Sequence, residues 1–244
     1  MSSQSKFLKM TNFRKKIIDY VRKNRVSTTE VADALGKKGS IDNVKLINPH
    51  NTNVHVVGNV RCVFASTESN FLVHKEITKI KKDEVVLIFT HDCNEKAIIG
   101  DLISKYILLY KQAQAVIVLG NVRDVAKLIK ENYSIWSYGV NPIGCVNHYT
   151  KPFPLKIKKN ILMQFDKSIA VCDSGGVVII NKNNISKNFL ESLETIEAQE
   201  DLWYYCLDTL KWNTLDIVSK KEYLKHKNIF SKEQIKKMKK FLDK

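Results

Sequence analysis

The sequence predicts an α/β fold, and three observations carry that expectation. Short apolar runs alternate with stretches of helical periodicity through the middle of the chain, as layered α/β folds require. The runs "EVVLIF" and "AVIVLG" are almost unbroken in apolar residues and so read as buried strands. At 244 residues with 44% hydrophobic content, the chain can build a real core.

Taken in order, "TNFRKKIIDYVRK" carries Phe13, Ile17 and Val21 at helical spacing. "STTEVADALG" opens a second helix with a capping box, Ser27 to Glu30, and stops at Gly36. Strands follow at "NVHVVG" and "VRCVFAS", then a helix at "FLVHKEITKI" and a strand at "EVVLIF". The segment "AIIGDLISKYILLYKQ" reads as a helix, "AVIVLG" as a strand, "VRDVAKLIKENY" as a helix and "SIWSYG" as a strand. "NPIGCVNHYTKPFP" reads as a loop, after which the strands "SIAVCDS" and "GVVIIN" close the β structure. From about Ile185 the pattern is helical, with Phe189, Leu190, Leu193 and Ile196 at core spacing. A last helix is expected from a second capping box, Ser231 and Gln234, with Phe230 and Ile235 as a staple and Ile235, Met238 and Leu242 on its apolar face. The division expected is a core at residues 1–184, including the N-terminal helices, and a helical extension at 185–244.

Composition narrows the function classes. Runs such as "VVLIF" and "YILLY" fall far short of the roughly 18 apolar residues of a membrane span, and charges interrupt every candidate signal segment, so a cytoplasmic protein with no membrane partner is expected. The five cysteines, Cys62, Cys93, Cys145, Cys172 and Cys206, are widely spaced with no C-x-x-C pair, which points to reduced thiols rather than a disulfide framework or zinc cage. Net charge is +15, but ten lysines between Ser219 and Lys244 supply much of it. A lysine-rich terminal helix is ordinarily a solvated face, and the arginine clusters and interleaved aromatics of nucleic-acid modules are missing, so nucleic acid is not the expected partner.

The usual signatures of dinucleotide, P-loop and serine-hydrolase chemistry are absent, and "GKKG" at Gly36 is only a helix stop. The adjacent His91, Asp92 and Cys93 of "THDCNEK" do not make a metal or nucleophile site, because neighbouring residues rarely point into one place. Two places remain where glycine and charge meet at the ends of elements: "IIGDLI" around Gly100 and "GNVRD" around Arg123 and Asp124. A glycine ahead of polar backbone leaves N–H groups for an anion, an arginine can grip a carboxylate in two places, and an aspartate can hold a hydrated hard cation. Together these would bind a 2-oxo acid. The same Arg–Asp pair can equally be an ion pair or helix cap, and the residues alone leave both open.

The blocks "TTEVADALG", "IIGDLISKY", "AVIVLGNVRD", "NPIG" and "CDSGGVVIIN" resemble, in this order, those of the RraA-like family. That family includes the 4-hydroxy-4-methyl-2-oxoglutarate aldolases and the regulator of ribonuclease activity A. The resemblance, over roughly residues 28–201, implies a swivelling-type β/β/α layered domain assembled as a trimer or hexamer with sites between subunits. It implies that Gly100, Asp101, Leu102 and Ile103 bind the pyruvyl carboxylate through backbone N–H groups and that Arg123 grips pyruvate. It further implies that Asp124 holds Mg²⁺ or Mn²⁺ largely through waters and that Asp101 orients a water for proton transfer. Glu200 loosely matches a glutamate that approaches the metal waters from a neighbouring subunit. The activity implied is a metal-dependent lyase, cleaving a 4-hydroxy-2-oxo acid or oxaloacetate to pyruvate through an enolate. The alternative is a non-catalytic regulatory protein that contacts an RNA-processing enzyme. Two departures from the family pattern stand out: Lys127 where many active members carry an acid, and "THDCNEK" in place of a glycine-rich loop.

Overall fold

The computed structural model of the protein describes residues 3–226, with side chains from residue 12 onward, so the expected last helix lies outside the described residues. The chain divides into two compact units, Met1–Ile185 and Ser186–Lys244. Among the described residues no helix is long and apolar enough to cross a membrane.

The first unit begins with helix α1 (Ser3–Asn24) and the short α2 (Thr28–Ala34). Ile17 and Val21 of α1 are buried, as their spacing requires, and the capping box of α2 forms in both directions: Glu30 N–H donates to Ser27 Oγ at 3.2 Å and Ser27 N–H to Glu30 Oε2 at 2.6 Å.

One sheet organises the remainder. Its strands are β1 (Lys45–Leu46), β2 (His55–Ser66), β3 (Glu84–His91), β4 (Ala97–Ile99), β5 (Ala115–Val122), β6 (Ile135–Val140), β7 (Ile169–Asp173) and β8 (Gly176–Ile180). The order is β1-β6-β5-β3-β2-β7-β8, with β4 paired to β5 off this path. β2, β3, β5 and β6 run parallel, while β1, β7 and β8 add antiparallel edges. Side chains alternate across the central strands: Val86, Ile88, Val116 and Val118 join one core cluster, and Val85, Leu87, Ala115 and Ile117 join the other. Both faces are therefore covered, which is why residues 85–89 of β3 and 115–119 of β5 are all apolar. Val73 and Ile77 of α3 (Phe71–Ile77) and Leu128 of α5 (Val125–Lys130) pack on the first face; Ile161, Leu162 and Phe165 of α6 (Leu155–Phe165) pack on the second.

Four sequence expectations need correcting. "NVHVVG" and "VRCVFAS" are one strand, because Gly58 pairs with Ala170 of β7 and β2 runs on through it to pair with β3 from Asn59. The stretch expected as one helix over 97–112 splits at Gly100: Ala97–Ile99 is β4, α4 covers Asp101–Lys105, and a π-helical turn follows at Tyr106–Tyr110, closed by Lys111 N–H on the Tyr106 carbonyl at 2.9 Å. Helix α6 was not expected, since its charged and exposed residues hide the three that pack. The two-residue β1 was not expected either.

The second unit starts with α7 (Lys187–Tyr204), capped by Ser186 Oγ accepting from Phe189 N–H at 3.3 Å. Leu202, Cys206, Ile217 and Tyr223 form its buried cluster, with Trp203 and Trp212 packed alongside.

Candidate functional site

The ends of β4 and β5 meet where a parallel sheet characteristically opens a crevice, beyond the carboxyl ends of its strands. There Arg123 N–H donates to the Ile99 carbonyl at 3.0 Å, bringing the β5 end beside Gly100. Asp124 sits in the left-handed region at φ +60, a conformation aspartate tolerates better than most residues. Its carbonyl accepts from Lys127 N–H at 2.9 Å and Leu128 N–H at 3.1 Å, starting α5, while its side chain turns away from α5 to the neighbouring helix. Asp124 Oδ2 accepts the Asp101 N–H at 3.1 Å and lies 3.7 Å from Arg123 Nε.

Gly100, Asp101, Leu102, Ile103, Arg123 and Asp124 thus line one cavity of about 100 Å³. Arg123 and these five other sequence-expected residues are brought together there from two separate stretches of the chain. Of the four backbone amides from Gly100 to Ile103, that of Asp101 is held by Asp124 Oδ2. The exposed Leu102 side chain points to solvent, so only its backbone can serve the cavity. Glu200 lies on α7, in the second unit.

Gly100 is extended, at φ −134 and ψ −156, so any residue could adopt its backbone conformation; space is what demands glycine. A Cβ there would lie 2.2 Å from Asp124 Oδ2 and 3.0 Å from Arg123 Cγ. Gly144 does the same further along the arginine, where a Cβ would stand 2.6 Å from Arg123 Nη1. The arginine therefore packs closely against two glycines, yet half its side chain remains exposed. Gly100→Ala is expected to displace carboxylate and guanidinium together. A shift of about 1 Å at such groups costs on the order of 10²-fold in turnover, so ligand binding and activity should fall while the thermal unfolding temperature changes little.

Lys127 is the main surprise. Its ammonium donates to Asp101 Oδ2 at 2.9 Å, and that bond holds the Asp101 carboxyl below the usual carboxylate range and raises Lys127 in return. The sequence had shown a lysine in place of an acid but not that it would pair with the expected proton-transfer residue. Asn70, His74, Gly144, Cys145 and Asn147 also line the cavity and were missed. Gly144 lay in the quoted block "NPIG", and a glycine there could have been read as a close approach. Asn70 precedes α3; it donates to the Ile98 carbonyl at 3.2 Å, and among the described residues its buried Oδ1 has no hydrogen-bond partner. In "THDCNEK" the His91 ring packs against Phe153, while Cys93 is buried in the core.

The donor set fits a hydrated hard cation, not a cage. Among the described residues no group of three or more His, Cys, Asp or Glu side chains could hold a metal ion. Asp124, one-third exposed beside Asp101, offers the one or two carboxylates through which Mg²⁺ is usually held while it keeps most of its waters.

A family model described as RraA-like, Aldolase/RraA, matches residues 28–179, more than half of the chain and all of the cavity. The match ends before α7, so Glu200 is outside it. Among solved structures, the fold is similar to an uncharacterized protein from Pseudomonas syringae pv. tomato str. DC3000, at 16% identity over 80% of this chain and 89% of that one, with a TM-score of 0.62. It is also similar to RraAS2 of Streptomyces coelicolor, described as an unusual member of the RNase ES inhibitor RraA protein family, at 15% identity over 77% and 94% with a TM-score of 0.58. The RNA-processing inhibitor RraA from Thermus thermophilis matches at 19% identity over 63% and 91%, with a TM-score of 0.50. At such identities the likeness speaks to the fold.

Proposed function

Because the chain belongs to the RraA-like family, whose members include aldolases and RNase inhibitors, we propose that it is a divalent-metal-dependent lyase releasing pyruvate from a 4-hydroxy-2-oxo acid or from oxaloacetate. The observation that carries this reading is the close seating of Arg123 against both Gly100 and Gly144 with Asp124 at its side. A surface ion pair needs no such close seating, whereas a group that must meet a small anion in one orientation does. Arg123 presents a planar fork to the substrate carboxylate. Asp124 is the residue that would hold Mg²⁺ or Mn²⁺, which supplies positive charge for the 2-oxo oxygen as an enolate develops. Asp101, kept ionised by Lys127, can accept a hydrogen bond from a water and so orient that water's other proton toward the enolate carbon. The walls at Ile98, Ile99 and Ile103 are apolar and buried, which limits water around the reacting atoms.

Oxalate, a planar mimic of the pyruvate enolate, tests the reading by calorimetry. It should bind in the presence of Mg²⁺ and more weakly after chelation; no binding under either condition counts against it.

The assembly proposed is a homotrimer or a pair of trimers, with Glu200 reaching the cation's waters from a neighbouring subunit. Leu102, Leu109 and Tyr110 support it, since they remain 75%, 51% and 72% exposed along α4 and its π-helical turn. Light scattering at micromolar concentration should give a multiple of three chains, and a strict monomer would remove the shared site. One observation favours the regulatory reading, in which the cavity does no chemistry and the protein contacts an RNA-processing enzyme: the Lys127 ammonium already neutralises Asp101.

A further inference from the structure

We infer that Cys93 and Cys145 form a thiol pair that peroxide closes to a disulfide, altering the seat of Arg123. Backbone bonds bring the two together across three segments. Glu68 N–H donates to the Asp92 carbonyl at 2.9 Å, and Val146 N–H donates to the Glu68 carbonyl at 2.9 Å. One residue thus ties the position before Cys93 to the position after Cys145. A second tie lies on the other side: Ala97 N–H donates to the Ile143 carbonyl at 2.8 Å and Cys145 N–H to the Ala97 carbonyl at 3.0 Å. Both cysteines are free, and Cys93 lies within the core cluster against which Cys145 packs.

The two thiols are not equivalent. The interaction between the two thiols draws Cys93 down to about 7 and pushes Cys145 up, so Cys93 is the sulfur that ionises first. Burial pushes Cys62 and Cys172 upward, which leaves them inert by comparison. Cys93 is buried and does not line the Arg123 cavity, so peroxide meets the pair where Cys145 borders that cavity, whose volume of about 100 Å³ admits a molecule of that size.

The chemistry balances with hydrogen peroxide as the two-electron oxidant. The Cys93 thiolate attacks one peroxide oxygen, the O–O bond breaks, and a sulfenic acid forms as hydroxide leaves and is protonated to water. The Cys145 sulfur then attacks the Cys93 sulfur, the S–O bond breaks, and the hydroxyl leaves as water with the Cys145 proton. Two thiols lose two electrons and two protons, and one peroxide becomes two waters. The sulfurs close to about 2.05 Å, which pulls on the backbone next to Gly144. That backbone is part of the Arg123 seat.

The experiment treats the full-length protein with hydrogen peroxide, blocks remaining thiols, and maps peptides by mass spectrometry. A cross-link between the Cys93 and Cys145 peptides, with the loss of two hydrogens and reversal by dithiothreitol, is the expected result. Peptides that stay fully alkylated, or a Cys93 bridge to another cysteine, would overturn the inference. Cys145→Ser should leave Cys93 oxidised only to its sulfenic or sulfinic acid; the wild-type map decides the matter if that variant fails to fold. The consequence for Arg123 rests on the proposed substrate site and is read separately. Oxidised protein should bind oxalate about tenfold more weakly, the scale of one lost charge-assisted hydrogen bond, with recovery on reduction. Unchanged affinity would overturn the coupling to Arg123. Reduced protein that binds no oxalate would sink the lyase reading and leave the cross-link result standing.

Discussion

Asp124→Asn is expected to reduce metal-dependent pyruvate release by at least about 10²-fold, the scale seen when a group stabilising a developing negative charge is removed. Asparagine keeps the left-handed backbone that Asp124 adopts at φ +60, and its amide oxygen can still accept the Asp101 N–H, so the start of α5 should survive. Only the full negative charge is lost. Steady-state pyruvate assays beside a thermal melt check this: turnover should collapse while stability changes by no more than about 1 kcal/mol. Alanine would be a poorer probe, because it adds backbone strain at that φ to the loss of charge.

Arg123→Lys should fail differently. It keeps one positive charge but removes the planar fork that lies against Gly144, and a compact ammonium cannot grip both oxygens of a carboxylate. Oxalate affinity is expected to drop by about 1.5 to 3 kcal/mol, while cation binding at Asp124 persists. Titration calorimetry with oxalate and with Mn²⁺ separates the two. Loss of both together would mean that the arginine holds Asp124 in place rather than the ligand.

How much of this was legible in the sequence depends on which force fixes each element. The central strands could be read because burial on both faces leaves a run such as Val85 to Phe89 wholly apolar. The capping box at Ser27 could be read because it is local. The split at Gly100 could not: "AII" continues without interruption into "GDLISKY", and its strand character comes from pairing with β5, a contact invisible along the chain. Helix α6 escaped for a similar reason, since lysines surround its few packing residues. At the site, Arg123 and Asp124 stood out as adjacent charges after a buried strand. The seat formed by Gly100 and Gly144 arises from residues far apart in sequence. The Lys127 bond to Asp101 needed two helix starts to meet. The Cys93 and Cys145 pairing needed Glu68 between them, which no spacing of cysteines could announce.

The central claim is tested most directly by measuring pyruvate release from oxaloacetate and a panel of 4-hydroxy-2-oxo acids, with and without Mg²⁺ or Mn²⁺, in the wild-type protein and in Asp124→Asn. The account expects release above the protein-free rate for at least one substrate, dependent on the cation and lost in the variant. Release no faster than the protein-free control with every substrate and cation, or release that survives in Asp124→Asn unchanged, would contradict it and leave the regulatory reading in its place.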